Sequence, residues 1–252
     1  MNDLSILDIV SHDVQYIDAI KAMAHDVSIN RAVNNEFYKL WMTEKLNKRQ
    51  LEIFAVNYFH RIAPTVSRLA RTFVSTEDVV SRSHLIRNIS DELGHGDANA
   101  AHMAILRRWL ESLLQKCGGR NFEDVLGDTP VLAVTERLTA ESLKLCSGPA
   151  PLANGAILAQ EWHAYAQLVN LYEGFRNYMN YYELEEFHNS SEYFYIHIGW
   201  AEKEHKEQSV VTAARSCHSK EDFDLLKQGF FQFLALLADF WEGLHIELKL
   251  HS

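Results

Sequence analysis

Apolar residues recur in steps of three and four along nearly all of this 252-residue chain. That periodicity restricts it to helices. From Arg49 to Val74, Leu51, Phe54, Ala55, Tyr58, Ile62, Val66, Leu69 and Phe73 mark one helix face, with a kink expected at Pro64. From Glu77 to Gln115 the apolar positions predict one long helix or two in series, weakened at Gly94 and Gly96. Further helical runs are Pro130 to Leu145, Pro151 to Tyr182, Ser190 to Ser216 and Lys220 to Leu248. The breaks between them carry the right residues. Cys117-Gly118-Gly119 ends one helix, and Ser219 before Glu221-Asp222 starts another. Strand alternation bounded by hairpin turns is absent, and 11 Gly and 4 Pro supply few turns. The reading is all-α: a single helical domain over 1–252, with about seven helices and a core over about 34–248.

Charge and composition narrow the function. A net charge of −10 argues against a nucleic-acid or anionic-membrane surface. No stretch approaches the ~20 apolar residues of a membrane span, and Met1-Asn2-Asp3-Leu4 lacks the basic start of a signal peptide. Cys117, Cys146 and Cys217 lie far apart without a CxxC, as reduced thiols of a cytoplasmic protein would. The expected partner is a small molecule, and a homodimer is the assembly left open.

The histidines carry the chemical signal. Four Glu-x-x-His pairs occur: Glu92/His95, Glu185/His188, Glu202/His205 and Glu242/His245. Chance placement of 21 Glu and 13 His predicts roughly one, so four is a modest excess and some pairs are incidental. The i,i+3 spacing sets both side chains on one helix face, where a carboxylate and an imidazole can share one metal ion. Glu92/His95 sits in the apolar frame of Leu85, Ile89 and Leu93, so its face is expected to look inward. Glu202/His205 follows an aromatic run that also carries His197. Glu185/His188 and Glu242/His245 lie in polar or terminal settings and read as surface. Glu161 ends the apolar turn Ala156-Ile157-Leu158-Ala159. Burying it requires a positive partner, either a metal or an Arg or Lys side chain.

Two Glu-x-x-His helices with a further Glu resemble the dinuclear carboxylate sites of helical bundles. The order Glu92, His95, Glu161, His197, Glu202, His205, in the setting Asn88-Ile89-Ser90-Asp91-Glu92-Leu93-Gly94-His95-Gly96-Asp97, resembles the haem-oxygenase-like dinuclear iron oxidases. That family shares its fold with thiaminase II and the pyrroloquinoline-quinone synthase. The resemblance runs over roughly 34–244 and includes Phe37-Tyr38-Lys39-Leu40-Trp41 and Phe240-Trp241. It implies a haem-oxygenase-like bundle holding two Fe(II) ions, with O2 as co-substrate. Glu92, His95 and His197 would serve one iron. Glu161 would bridge or lean to the second, completed by Glu202 and His205.

Two departures stand out. The family's last ligand helix usually reads His-x3-Asp-x2-His. Here Ala201 holds the acid position and the acid is Glu202, turned about 100° further around an ideal helix. The second ion is therefore expected to bind more weakly, with a π-bulge as one remedy. His102, seven residues after His95, is a rival ligand. The function implied is an oxidase or oxygenase acting on a small amino-acid-derived or fatty-acid-like substrate by N-oxygenation, desaturation or C–C cleavage, in natural-product biosynthesis. A metal-free enzyme like thiaminase II or the quinone synthase is the alternative. Arg61, Arg68, Arg71 and Arg87 are candidates to pair a substrate carboxylate, most of them expected at the surface.

Overall fold

The computed structural model describes residues 14–198 and 200–252, with the side chains of 14, 15, 198 and 200–204 outside the described residues. No strand occurs among the described residues. The helices are α1 (Val14–His25), α2 (Glu36–Thr43), α3 (Lys48–Ile62), α4 (Thr65–Ser75), α5 (Val79–Glu92), α6 (His102–Cys117), α7 (Phe122–Asp128), α8 (Ala133–Leu145), α9 (Ala150–Phe175), α10 (Leu184–Ser190), α11 (Glu192–Ile198), α12 (Trp200–Arg215) and α13 (Lys220–Lys249). The all-α expectation holds, with more segments than the seven foreseen. Pro64 is one reason: it has no N–H to donate, so the expected kink becomes a full break between α3 and α4.

Side-chain caps fix where several helices begin. Asn47 and Gln50 form a reciprocal capping box on α3, and Ser219 accepts from Asp222 N at the start of α13. Asp78 caps α5 by accepting from Ser81 N, 2.8 Å away. The same carboxylate receives Arg215 from the end of α12, at 2.8 Å from Nε and 2.6 Å from Nη2. One side chain thus starts α5 and ties it to α12.

α9 is buried without interruption from Ala153 to Glu161 and keeps a buried face on to Phe175, as suits a central helix. It packs against α13, α12, α2, α11 and α4. At the α9–α13 crossing the backbones nearly touch. A Cβ on Gly155 would strike the Leu226 carbonyl, and one on Gly229 the Leu152 carbonyl. The surrounding core runs from Ile20 to Leu248 as one cluster. Its densest part is aromatic: Phe37 stacks on Trp241 at 4.7 Å, and Trp41 on Phe54 at 4.8 Å.

Candidate metal centre

Helices α3, α4, α5, α6, α8, α9, α11, α12 and α13 line a cavity of about 530 Å³. Acidic and imidazole side chains converge on it. Asp91 and Glu92 come from the last turn of α5, His102 from the first residue of α6, Glu161 from α9, His197 from α11 and His205 from α12.

The segment after Glu92 decides which histidine reaches this carboxylate. α5 stops at Glu92, and Gly94, His95 and Gly96 all take positive φ (66°, 53° and 94°). Gly94 is fitted for the turn, because a Cβ there would collide with the Ala100–Ala101 backbone. The reversal takes His95 out of any helical register with Glu92. Its side chain is 74% exposed, with Nδ1 3.4 Å from Asp91. The expected shared inward face of Glu92 and His95 therefore does not form, because i,i+3 neighbours meet only where the helix continues. His102 stands beside Glu92 instead, with Nδ1 3.3 Å from Oε2.

Donor atoms of Glu92, His102 and His197 lie within 4.8 Å of one another. The His102 and His197 rings meet edge to face at 4.5 Å. His197 Nδ1 donates to the Tyr193 carbonyl at 2.6 Å, which leaves the lone pair on Nε2. His102 Nδ1 is buried and meets Glu92 as an ion-pair partner without good hydrogen-bond alignment. A cation about 2 Å from each donor would displace the proton and use the nitrogen lone pair. The donor set fits a first-row transition metal.

Around this trio, Glu161 is 7% exposed and accepts from Gln160 Nε2 at 3.2 Å. His205 Nε2 lies 2.8 Å from Asp91 Oδ2. Glu202 and residue 199, where the distortion between His197 and His205 was expected, lie outside the described residues. Glu185 and His188 are exposed, as is Glu242, which pairs with Arg31 at 3.7 Å.

Proton affinities follow this crowding. Burial alone would raise Glu92, but the adjacent His102 more than offsets it and holds the carboxyl below its usual value. Glu161 is raised by burial and by the like charge of Glu92, against the pull of His205. Burial and the neighbouring His102 push His197 down to about 4. Burial also lowers His102, yet Glu92 with Asp91 and Glu161 outweighs it and the net shift is upward.

Two residue sets went unforeseen. Asp91 joins the cavity although, one residue from Glu92, it points about 100° away around the helix. Its only sequence signal was the adjacent pair of acids. Of the four arginines singled out, Arg61 and Arg68 are buried while Arg71 and Arg87 are exposed. Arg68 donates to Gln160, Thr65 and Ser142, and burial lowers it only to about 10, so it stays charged. The cysteines do not line the cavity. Burial raises the Cys117 and Cys217 thiols to about 11 and that of Cys146 as well.

A family model described as iron-containing redox enzyme matches residues 52–238. No curated protein matches the sequence. Among solved structures, a CADD-like protein of unknown function from Nostoc punctiforme superposes with a TM-score of 0.74 at 16% identity, covering 92% of this chain and 97% of that one. A TenA homologue from Pseudomonas syringae gives 0.70 at 16% identity, covering 92% of each chain. A domain of unknown function with a haem-oxygenase-like fold from Shewanella denitrificans gives 0.67 at 17% identity, covering 99% and 96%. These likenesses establish the haem-oxygenase-like fold.

Proposed function

Because the chain belongs to the family of iron-containing redox enzymes, we propose that it is a non-haem iron oxidase or oxygenase. It uses O2 on a small amino-acid-derived or fatty-acid-like substrate in natural-product biosynthesis, by N-oxygenation, desaturation or C–C cleavage. The observation that carries this reading is the convergence of Glu92, His102 and His197, whose donor atoms lie within 4.8 Å of one another on the cavity wall.

Glu92, His102 and His197 would hold one Fe(II). Glu161, His205 and Glu202 would hold a second, more weakly, because His205 Nε2 is already engaged by Asp91. Iron in such a set supplies redox chemistry with O2, which zinc does not. The other roles belong to the chain itself. The Tyr193 carbonyl fixes the tautomer and orientation of His197. Gln160, held by Arg68, steadies Glu161. Leu138, Leu168, Phe233 and Leu237 give the cavity an apolar wall that limits water beside the reacting centre.

The thiaminase-like alternative needs a reactive thiol in the cavity. The three cysteines, half-buried or buried outside the cavity with raised thiols, do not favour that reading.

The test is anaerobic addition of Fe(II) followed by O2, with oxygen uptake and optical spectra recorded over a panel of amino acids and fatty acids. Substrate-stimulated uptake that Glu161→Ala abolishes in a folded protein is expected. Equal uptake with and without iron would overturn the assignment.

A further inference from the structure

Arg61 is a buried guanidinium that no carboxylate of the described residues answers. The residue is 3% exposed and lines the cavity. Its guanidinium lies 5.4 to 5.7 Å from the ring centroids of Tyr58, Phe240 and Trp241. Among the described residues its one hydrogen bond runs from Nη2 to His163 Nε2, at 2.7 Å, out of five available donors. Nε is sealed from solvent without an acceptor.

His163 does not neutralise this charge. Its Nδ1 lies 3.0 Å from the Ala159 carbonyl and donates to it, while Nε2 accepts from Arg61 and also meets the Gln167 amide at 3.2 Å. An imidazole is neutral or cationic, so it can accept a hydrogen bond from the guanidinium but cannot balance its charge. No carboxylate of the described residues forms an ion pair with Arg61. The cavity acids are engaged elsewhere: Glu92 with His102, Asp91 with His205, and Glu161 with Gln160. The second buried cation, Arg68, differs in having neutral acceptors for Nε, Nη1 and Nη2.

A buried, under-coordinated guanidinium is expensive unless a partner arrives. A planar carboxylate is the partner its fork matches best. A dianionic phosphate fits poorly, since one open cation would face it in a cavity that already holds Asp91, Glu92 and Glu161. The rest of the ligand must suit Leu138, Leu168, Phe233 and Leu237.

We propose that Arg61 is the substrate anchor: it binds the carboxylate of a monocarboxylic acid whose body is largely apolar, within the cavity that holds the acid and histidine cluster. The inference rests on the function proposed above, because it names the substrate class for that site.

Its test does not need the metal. The full-length protein in excess chelator is titrated with decanoate, decanamide, alanine and inorganic phosphate, followed by calorimetry and tryptophan fluorescence. Without metal, no ion can hold the carboxylate, so affinity reports on the protein alone. Decanoate is expected to bind at least tenfold more tightly than decanamide. Arg61→Met should remove that preference, leave decanamide affinity unchanged, and preserve the visible spectrum of the Co(II)-loaded protein. Arg61→Lys should recover part of the preference. Equal binding of acid and amide by the native protein overturns the proposal even if no Arg61 variant folds. So does phosphate or alanine binding more tightly than decanoate, or a full preference for decanoate in Arg61→Met. Carboxylate binding together with failure of the cobalt or iron titration would leave this anchor standing and remove the iron assignment. Metal binding without carboxylate preference would do the reverse.

Discussion

Asp78 is the most economical place to loosen the frame of the site without touching it. Its carboxylate caps α5, which ends in Asp91 and Glu92, and grips Arg215 at the end of α12, which carries His205. Loss of an N-cap costs about 1 kcal/mol. Hydrogen bonds to a charged partner contribute about 1.5–3 kcal/mol, and the lower end applies because Asp78 is 29% exposed. Asp78→Ala should therefore cost about 2.5 kcal/mol, or roughly 5–10 °C in Tm for a chain of this size. Asp78→Asn keeps a competent cap and should cost about half as much. A double-mutant cycle with Arg215→Ala should show about 1 kcal/mol or more of coupling. The pH dependence has a definite sign. Hydrogen bonds from Arg215 hold the Asp78 carboxyl well below the ordinary carboxylate range. Its contribution is then complete above the unfolded pKa of about 3.9 and is lost as pH falls through the lower folded value. Thermal and urea denaturation should show a constant gap between native protein and Asp78→Ala from pH 8 to 5, narrowing only below about pH 4. A penalty under about 0.5 kcal/mol, or Asn as harmful as Ala, would refute the clamp-plus-cap reasoning.

Three further outcomes are expected. His95→Ala should leave metal content and oxygen uptake near the native level, since its side chain is 74% exposed, whereas His102→Ala should lose bound iron by metal analysis. Gly155→Ala should cost about 3 kcal/mol or more in a denaturation experiment, because its Cβ would meet the Leu226 carbonyl and not a yielding side chain. His163 is held neutral with a pKa near 3 against about 6.5 when unfolded. The unfolded chain then binds the extra proton first, so stability should fall as pH drops below about 6.5. His163→Gln should flatten that slope in urea titrations at pH 5 to 8.

Much of this architecture was legible because helical burial repeats with a fixed period. The apolar faces located the helices, and the capping residues and Gly-Gly or Pro breaks located several boundaries. Glu161, His197 and His205 were legible for the same reason, each standing on a helix whose inward face the apolar residues declare. His95 misled because the i,i+3 rule presupposes a continuous helix. Three successive positive-φ residues at 94–96 turn the chain back on itself, and periodicity carries no information about backbone outside a helix. His102 then occupies the place that spacing had assigned to His95. Asp91 was hidden by its position off the face of Glu92. The burial of Arg61 and Arg68 was hidden for a different reason. A charged residue on an amphipathic helix reads as solvated, and only the three-dimensional packing shows an aromatic cage around one guanidinium and neutral acceptors around the other.

The central claim is that iron sits among Glu92, His102 and His197, and anomalous diffraction at the iron edge tests it most directly. Crystals grown and soaked with Fe(II) without oxygen should show a strong peak within bonding distance of all three side chains. A weaker peak should lie toward Glu161 and His205. A peak bound by His95 with His102 turned away, or none in the cavity at saturating Fe(II), would contradict the account.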